Sequence, residues 1–470
     1  MFIERRKNMS SQKQEGSFKK AIGPFSGISI VAGMVIGSGI YYLGSYVLDR
    51  TGMSMGWSLV AWIVGGIITI ISGLCFAELG ASMPVAGGQT VYLSKAYHPV
   101  FGFINGFSCF LLVGSGGVAA LAMAAVTAYR TVFDLSDVMI KVIAILIIFA
   151  LMVINLLGVK EMTLYQNFSM VIRLVPILLI IVVGLATGDQ SPDLSLSLEG
   201  TPAEGGGIVN IISMVGFATF ASLWAYDGWY NLNTVAEEMR NPKKDLPFAI
   251  ITSLVGVTLI YALFYLAVYR VLPHEDIIAM VESENLYLGN EVISRALGGT
   301  GTWIVLVCMT IGIVGSANVN TLCDPRTYYA MAKEGYFPKI FGHLDEKHGV
   351  PSYGIIIASG MAMVLVLFNS LEELTDMLIF TTSILNAMTV FAVLIMRKKY
   401  PDIERPYKVW GGKVTIVITC IAYLILMVNE FIDAPKAAFV AIGVNVVSVP
   451  VYLYFRKKNG GKDYEGKGIE

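Results

Sequence analysis

Charged residues are scarce in this chain. Lys, Arg, Asp and Glu make up 14% of its 470 residues, whereas apolar types make up 55%, and the mean hydropathy is +0.68. Soluble domains are roughly one quarter charged, so this chain lacks the polar residues that a water-facing surface needs. The net charge of -1 also argues against a nucleic-acid partner. The composition therefore predicts an integral membrane protein.

Motifs for metal, nucleotide or cofactor chemistry are absent from the sequence. The five cysteines form no CxxC pair, and all of them fall in apolar segments, where they are interpreted as packing residues. The four histidines lie in predicted loops, and no GxxxxGK[ST] motif occurs. The longest predicted loops have about 20 residues, which is too short for a soluble catalytic domain. We therefore expect no cofactor and no metal, and we do not expect an enzyme.

Long apolar runs, in contrast, recur along the whole chain. A helix of about 20 apolar residues spans the hydrocarbon core of a bilayer, and the sequence lacks the short alternating strands that a β-barrel needs. We predict an all-α membrane protein with 12 transmembrane helices, called segments 1 to 12 here. Their bounds are 24–46, 55–83, 100–128, 138–157, 163–187, 208–236, 247–270, 293–332, 350–369, 374–396, 411–430 and 436–455.

Lysine and arginine are divided unevenly between the connections of these segments. Of the 33 such residues, 26 fall on the side that holds both termini, 6 fall on the opposite side, and Arg173 lies within segment 5. Cytoplasmic loops carry the excess of basic residues in membrane proteins. Both termini are therefore predicted to be cytoplasmic.

Glycines interrupt two segments near the middle of the membrane. Segment 1 contains Gly37-Ser38-Gly39, and segment 6 contains the run Trp224 to Gly228. Glycine is a poor helix former, and unwound backbone at this depth persists only where it lines protein or a water-filled cavity. Segment 1 alone is also compatible with a close-packed interface of small residues. Because the two breaks are five helices apart, an inverted repeat would bring them together around one midplane site.

The chemistry of the two breaks suits a zwitterion. The amides of Ser38 and Gly39 begin the second half of segment 1, and a helix N-terminus favours a carboxylate. The carbonyls near Val35 and Ile36 end the first half and are expected to accept hydrogen bonds from an ammonium group. The carbonyls from Trp224 to Asp227 are expected to do the same.

Four stretches of the sequence resemble the amino acid–polyamine–organocation (APC) transporters, and most of all their L-type amino acid transporter (LAT) branch. They are VAGMVIGSGI (31–40), FAELGASMPVAGGQ (76–89), LWAYDGW with EEMRNPKKDLP (223–229 and 237–247), and residues 326–338 with ERPYK (404–408). They extend over almost the whole chain in family order. This set is far more specific than a lone glycine motif.

The resemblance implies a LeuT-type fold, a 5+5 inverted repeat with broken helices 1 and 6. Segments 1–5 would form the first repeat (23–187) and segments 6–10 the second (208–397). Helices 11 and 12 (410–456) would lie outside the repeats, between cytoplasmic tails at 1–22 and 457–470. The resemblance also implies alternating access to a midplane amino-acid site.

The resemblance assigns substrate contacts to both breaks. They are Val35, Ile36, Gly37, Ser38 and Gly39 in the first, and Trp224, Ala225, Tyr226, Asp227 and Gly228 in the second. Trp224 is expected to form an aromatic gate over the substrate, and Trp229 is a further aromatic wall or an ordinary core residue. Polar residues of segments 8 and 10 are expected to line or brace the site, or to make plain interhelical hydrogen bonds. These are Ser316, Asn318, Asn320 and Asn386.

Three ionisable residues are candidates for coupling or specificity. Arg173 lies at a position where the resemblance often places a lysine, near the second sodium site of sodium-dependent relatives. A permanently charged arginine there is expected to replace sodium, with a snorkelling side chain as the alternative. Asp227 stands where many relatives have a small residue, so it either favours cationic substrates or is satisfied by amides at the break. Glu78 is a weaker candidate for proton transfer.

We therefore expect sodium-independent exchange or facilitated transport of L-amino acids by alternating access. The alternatives are a proton-coupled symporter, with Glu78 or Asp227 as proton carrier, and, more remotely, a membrane amino-acid sensor. LAT-type chains of animals carry a cysteine after helix 3 for a glycoprotein partner, but the loop 128–137 has none. We expect no glycoprotein heavy chain, no partner beyond the amino-acid substrate and the lipid bilayer, and a prokaryotic plasma membrane as the location.

Overall fold

The computed structural model describes residues 20–37, 39–85, 87–282, 287–433 and 435–463. Within these ranges the structure is helical, and its β-type pairing is limited to two isolated bridges, Ile22 with Met239 and Asp345 with Val350. The first bridge joins the start of the described chain to the region that follows the second predicted break.

The α-helices of the described ranges are numbered in chain order. They are α1 (Pro24–Val35), α2 (Gly39–Arg50), α3 (Met55–Ser82), α4 (Gln89–Ala96), α5 (Pro99–Ser108), α6 (Gly114–Thr127), α7 (Asp137–Leu157), α8 (Val159–Thr187), α9 (Ile208–Ala225), α10 (Asn231–Thr234), α11 (Pro242–Val271), α12 (His274–Glu282), α13 (Leu288–Lys333), α14 (Ser352–Phe368), α15 (Leu371–Lys399), α16 (Gly412–Asp433) and α17 (Pro435–Lys458). A π-helical turn, Cys109–Val113, joins α5 to α6.

Many of these helices can cross a membrane. Nine helices in the described ranges are long and apolar enough, and α1 with α2 adds a tenth span that is bent by 43°. Two shorter apolar stretches, namely α14 (Ser352–Phe368) and the part Gly412–Val428 of α16, coincide with predicted segments 9 and 11. Large apolar side chains of α7, such as Leu146 and Phe149, are exposed on the outside of the protein, where lipid would cover them. The chain is a multi-pass membrane protein, and the twelve-helix layout stays a prediction.

The structure differs from the predicted segments at three places. The helix α13 has 46 residues, but Gly298 interrupts it with a φ of 64°, so part of the extra length of segment 8 is a separate helix. The predicted connections also contain α4, with 8 residues, and α12, with 9 residues. Hydropathy misses such short helices because they carry no long apolar run.

The helices around the first break form the core of the protein. The helix α1 packs against α8, α11 and α13. On α11, Tyr265 stacks on Trp62 of α3 with ring centroids 4.6 Å apart, and its hydroxyl donates to the Ile40 carbonyl at 2.5 Å. Buried tyrosine hydroxyls need such partners. This contact fixes the start of α2, and with it the position of the first break.

Candidate substrate-binding site

The first break lies between α1 and α2. Residues 36–37 are non-helical, and Ser38 falls outside the described residues. At the start of α2, Gly39 lies against Ala225 of the second break, where an added Cβ would come within 2.8 Å of the Ala225 Cα. Glycine at this position therefore permits the two breaks to touch.

The second break separates α9 from α10. Residues 226–230 form turns, and Gly228 has a φ of 89°, in the left-handed region that favours glycine. A Cβ at this position would also collide with the side chain of Met34. Tyr226 points away from the break, because its hydroxyl donates to the Trp62 carbonyl at 3.0 Å. Glycine is thus required here both for its conformation and for the close approach of α1.

Tyr261 of α11 joins the two breaks. Its hydroxyl oxygen is 2.8 Å from the Val35 carbonyl and 2.9 Å from the Ala225 carbonyl, so its single proton can be donated to either. The Val35 carbonyl also accepts from the N–H two residues further on, at 2.8 Å. The Ile36 carbonyl accepts from Arg173 at 2.9 Å. The predicted ammonium acceptors of the first break are therefore already hydrogen-bonded within the protein.

Arg173 of α8 is 1% exposed and reaches α1 and α13. Its Nη1 donates to the Gly33 and Ile36 carbonyls and to Ser316 Oγ. Its Nη2 donates to Ser169 Oγ at 2.9 Å. The guanidinium group thus connects three helices through neutral oxygen atoms. The side chain lies in the interior, which differs from the position of a snorkelling arginine.

A cavity of about 50 Å³ lies between the two breaks, α6 and α13. Six predicted site residues line it, namely Val35, Gly37, Gly39, Trp224, Asp227 and Asn320. Residues that the sequence analysis did not single out also line it, among them Cys109, Gly114, Gly117, Tyr230, Asn231 and Asp324. A second cavity of about 30 Å³ shares Tyr230 and Asp324 with the first and continues to Gly87 and Gln89.

Polar side chains tie the cavity wall together. Tyr230 donates to Asp227 Oδ2 at 3.3 Å, and Asn231 Nδ2 donates to Asn320 Oδ1 at 2.8 Å. The second bond joins α10, which follows the second break, to α13. The asparagine pair therefore positions one wall of the cavity relative to the other.

The remaining predicted residues surround the cavity without lining it. The backbone of the breaks contains Ile36, Ala225, Tyr226 and Gly228. Ser316 bonds to Arg173 and to the Gly33 carbonyl. Asn318 accepts from Asn155 of α7 at 2.8 Å, which is an interhelical brace. Asn386 accepts from Gln89 Nε2 at 3.2 Å, next to the second cavity.

Glu78 and Trp229 lie away from both cavities. The Glu78 carboxylate accepts from Arg397 at 2.6 and 2.8 Å and from the Val409 N–H at 2.8 Å. This bidentate pair fastens α3 to α15. Trp229 is buried, with its ring centroid 4.7 Å from that of Phe76. Both residues therefore stabilise the protein outside the cavities.

Asp324 is an acidic cavity residue that sequence reasoning missed. It lies on α13, is 5% exposed, and lines the main cavity together with Cys109. A carboxylate within predicted segment 8 was the available signal, because ionisable residues at membrane depth mark functional sites. Its position close to the charged end of that segment obscured the signal.

The fold and the cavity together are those of a multi-pass membrane protein with a small chamber between two interrupted helices, an arrangement typical of membrane carriers. The family model described as Amino acid permease matches residues 22–455, and the chain belongs to this family. Members of the family are transporters rather than enzymes.

Individual relatives agree with the family. The serine/threonine exchanger SteT of Bacillus subtilis is 29% identical over 448 residues, which cover 95% of this chain and 99% of that protein. The b(0,+)-type amino acid transporter 1 of Oryctolagus cuniculus is 28% identical, with 85% and 80% covered. The human cystine/glutamate transporter is 26% identical, with 94% and 86% covered. The predicted resemblance to APC transporters is therefore confirmed, and the chain is an amino acid transporter of this superfamily.

Proposed function

We propose that the chain carries L-amino acids by sodium-independent exchange, through alternating access to the cavity between the two breaks. The observation that carries the proposal is the buried Arg173, which donates to oxygen atoms of α1, α8 and α13. Such oxygen atoms are ligands that a hard cation prefers. Since arginine stays protonated in proteins, this fixed charge serves in place of a transported ion.

The two breaks hold the backbone groups of the substrate in this proposal. The substrate carboxylate meets the N–H groups of Ser38 and Gly39 at the start of α2. Since the carbonyls of Val35 and Ile36 already accept bonds within the protein, the substrate ammonium depends mainly on Asp227 and the second break. Trp224 covers the cavity and separates it from one side of the membrane.

The same proposal includes the arrangement of the chain in the membrane. It comprises twelve helices in the LeuT-type layout, two cytoplasmic termini, the plasma membrane as the location and transport without a glycoprotein heavy chain. The exposed apolar face of α7 and the separation of the two breaks along the chain support this layout. The similarity to a bacterial exchanger supports the exchange mode.

Uptake of labelled amino acids into proteoliposomes tests the proposal. Vesicles are either empty or preloaded with unlabelled amino acid, and uptake is measured with and without sodium. Exchange predicts uptake that requires internal substrate and is indifferent to sodium. Uptake that strictly requires sodium would contradict the role of Arg173, and uptake into empty vesicles driven by a pH gradient would identify a proton symporter instead.

A further inference from the structure

Asp324 lies where three cavities meet. It lines the main cavity with Asp227, the second cavity with Gln89, and a third cavity of about 10 Å³ with Tyr328. Its side chain is 5% exposed. In the part of the chain that the structure describes, no lysine or arginine forms an ion pair with it. Asp324 is thus a buried acid that opens onto space and lacks a cationic neighbour.

An ionised carboxylate in such a place is unstable unless a cation neutralises it. The nearby basic residues do not fill this role. Arg326 pairs with Glu238 at 3.0 Å, and Arg173 donates to carbonyl and hydroxyl oxygens of other residues. Among the described residues the charge of Asp324 is therefore neutralised either by a proton or by a cation that enters through the cavities.

Glycines on α6 permit the polar side chains of α13 to approach closely. A Cβ on Gly114 would collide with Asp324 Oδ2, and a Cβ on Gly117 would lie 2.7 Å from Asn320 Nδ2. The π-helical turn Cys109–Val113 comes directly before Gly114, and such turns occur frequently at functional sites. The local structure therefore admits a group to the carboxylate where a larger side chain would cover it.

We propose that Asp324 is an anionic subsite for the distal cationic group of the substrate, so that the chain carries amino acids with an ammonium or guanidinium group on the side chain. The inference rests on the proposed function, because it uses the same cavity. The carboxylate of the substrate lies at the start of α2, and the side chain of the substrate extends past the second break to Asp324. Gly39 at the start of α2 and Asp324 both line the main cavity, so the subsite is continuous with the proposed binding site.

A proton would also neutralise Asp324, but a proton needs no space in front of the carboxylate. The cavities on several sides of Asp324 are explained by a bulkier cation. Lysine and norleucine distinguish neutralisation by a proton from neutralisation by the substrate. The two amino acids have the same carbon chain, and only lysine carries a terminal ammonium group.

The experiment measures half-saturating concentrations for lysine and norleucine in counterflow with proteoliposomes. The wild-type protein is expected to prefer lysine by about 100-fold, because a site built for a charged group rejects an analogue that lacks it. In Asp324→Asn, the half-saturating concentration of lysine is expected to rise until most of this preference is lost. The half-saturating concentration of norleucine is expected to change by less than about threefold. The exposed Asp402→Asn makes the same change in charge away from the cavity and is expected to behave like wild type.

Two further measurements keep the test decisive. Thermal stabilisation of the detergent-solubilised protein by lysine reports binding without transport, and it should be lost in Asp324→Asn. Asp324→Glu keeps the charge and should retain a preference for cationic substrates if Asp324→Asn does not fold. Imposed pH gradients separate a proton carrier from a substrate subsite, since a proton carrier makes uptake of neutral amino acids depend on the gradient and on Asp324.

The possible failures are distinguishable. If wild type exchanges neutral amino acids and prefers norleucine to lysine, the proposed exchange stands and the Asp324 subsite is wrong. If Asp324→Asn weakens the binding of lysine and of norleucine equally, Asp324 has a structural role instead. If Asp324→Asn removes gradient-driven uptake, Asp324 has a proton-coupling role. If wild type moves no amino acid in any arrangement, the proposed function itself fails.

Discussion

Two pairs of acids in this protein differ in what surrounds them; Glu78, Glu238 and Asp324 are buried and Asp227 is half-buried. Glu238 forms an ion pair with Arg326 at 3.0 Å, and Glu78 forms one with Arg397 at 2.6 Å. Both of these acids lie outside the cavities and connect helices that are distant in the chain. Their charges are neutralised within the protein, so they serve the fold.

The other pair faces the cavity and lacks such partners. Asp227 accepts from the Tyr230 hydroxyl at 3.3 Å, and Asp324 lines the main cavity beside Cys109. Neither forms an ion pair with a basic residue in the described ranges. This difference shows that burial alone does not identify a functional acid. An ion pair with a basic residue decides whether the charge of the acid remains available to a ligand.

Breaking the Glu238 pair should produce the largest effect on stability. Arg326→Met leaves the Glu238 carboxylate buried without its cation, which costs about 3–5 kcal/mol of folding free energy. The double variant Arg326→Met with Glu238→Met should recover much of the loss, since it removes both charges. Heating in detergent followed by size-exclusion chromatography measures the change. A single variant as stable as wild type would contradict the structural role of this pair.

Removing the charge of Arg173 should have the next largest effect, and the effect should be on transport. Arg173→Met is expected to lower the exchange rate by about 100-fold, because the oxygen atoms around it lose their buried cation. Arg173→Lys keeps the charge but lacks the planar fork, so an intermediate rate is expected. The exposed Arg240→Met serves as a control in the same counterflow assay. Unchanged exchange in Arg173→Met would rule out the proposed coupling role.

Filling the space before Asp324 should weaken the binding of cationic substrates. Gly114→Ala places a methyl group against the carboxylate, and we expect about a tenfold rise in the half-saturating concentration of lysine. Gly116→Ala is the matched control, because its new Cβ would lie 3.6 Å from Leu378 in ordinary contact. Competition of lysine with a labelled substrate measures the half-saturating concentration in both variants. Equal effects of the two substitutions would argue against a subsite at Asp324.

Removing one hydroxyl between the breaks should have the smallest effect. Tyr261→Phe removes the proton that is donated to either the Val35 or the Ala225 carbonyl, and it should destabilise the protein by about 1 kcal/mol. Exchange should also change by a few-fold, since the freed Val35 carbonyl borders the cavity. Tyr269→Phe removes a hydroxyl bonded to Ser58 at 2.8 Å and should leave exchange unchanged. Identical exchange rates in both variants would show that Tyr261 does not position the breaks.

Much of this protein could be predicted from local sequence. Hydropathy located most of the long helices, and the glycines at 37, 39 and 228 predicted where α1–α2 and α9–α10 are interrupted. Arg173 stood out because a cation within an apolar run is rare. Each of these signals belongs to a short stretch of chain, and helix propensity and hydrophobicity act over such stretches.

The walls of the cavity were harder to predict. Asp324, Cys109 and Gly114 line it because α13, the π-helical turn and α6 turn particular faces toward the breaks, and no local pattern reports that rotation. The engagement of the Val35 carbonyl by Tyr261 joins residues 226 positions apart, so the sequence could not reveal that this acceptor was occupied.

By itself the sequence determined the class of protein and the positions of the two breaks, because apolar length and glycine content are properties of short segments. Only the tertiary structure decided which acids are neutralised. Glu78 and Arg397 are 319 positions apart and Glu238 and Arg326 are 88 apart, and only folding brings them into contact. Ion pairing depends on distances of a few ångströms between helices. For that reason Glu78 is paired with Arg397, whereas Asp324 faces the cavity and forms no ion pair with any basic residue that the structure describes.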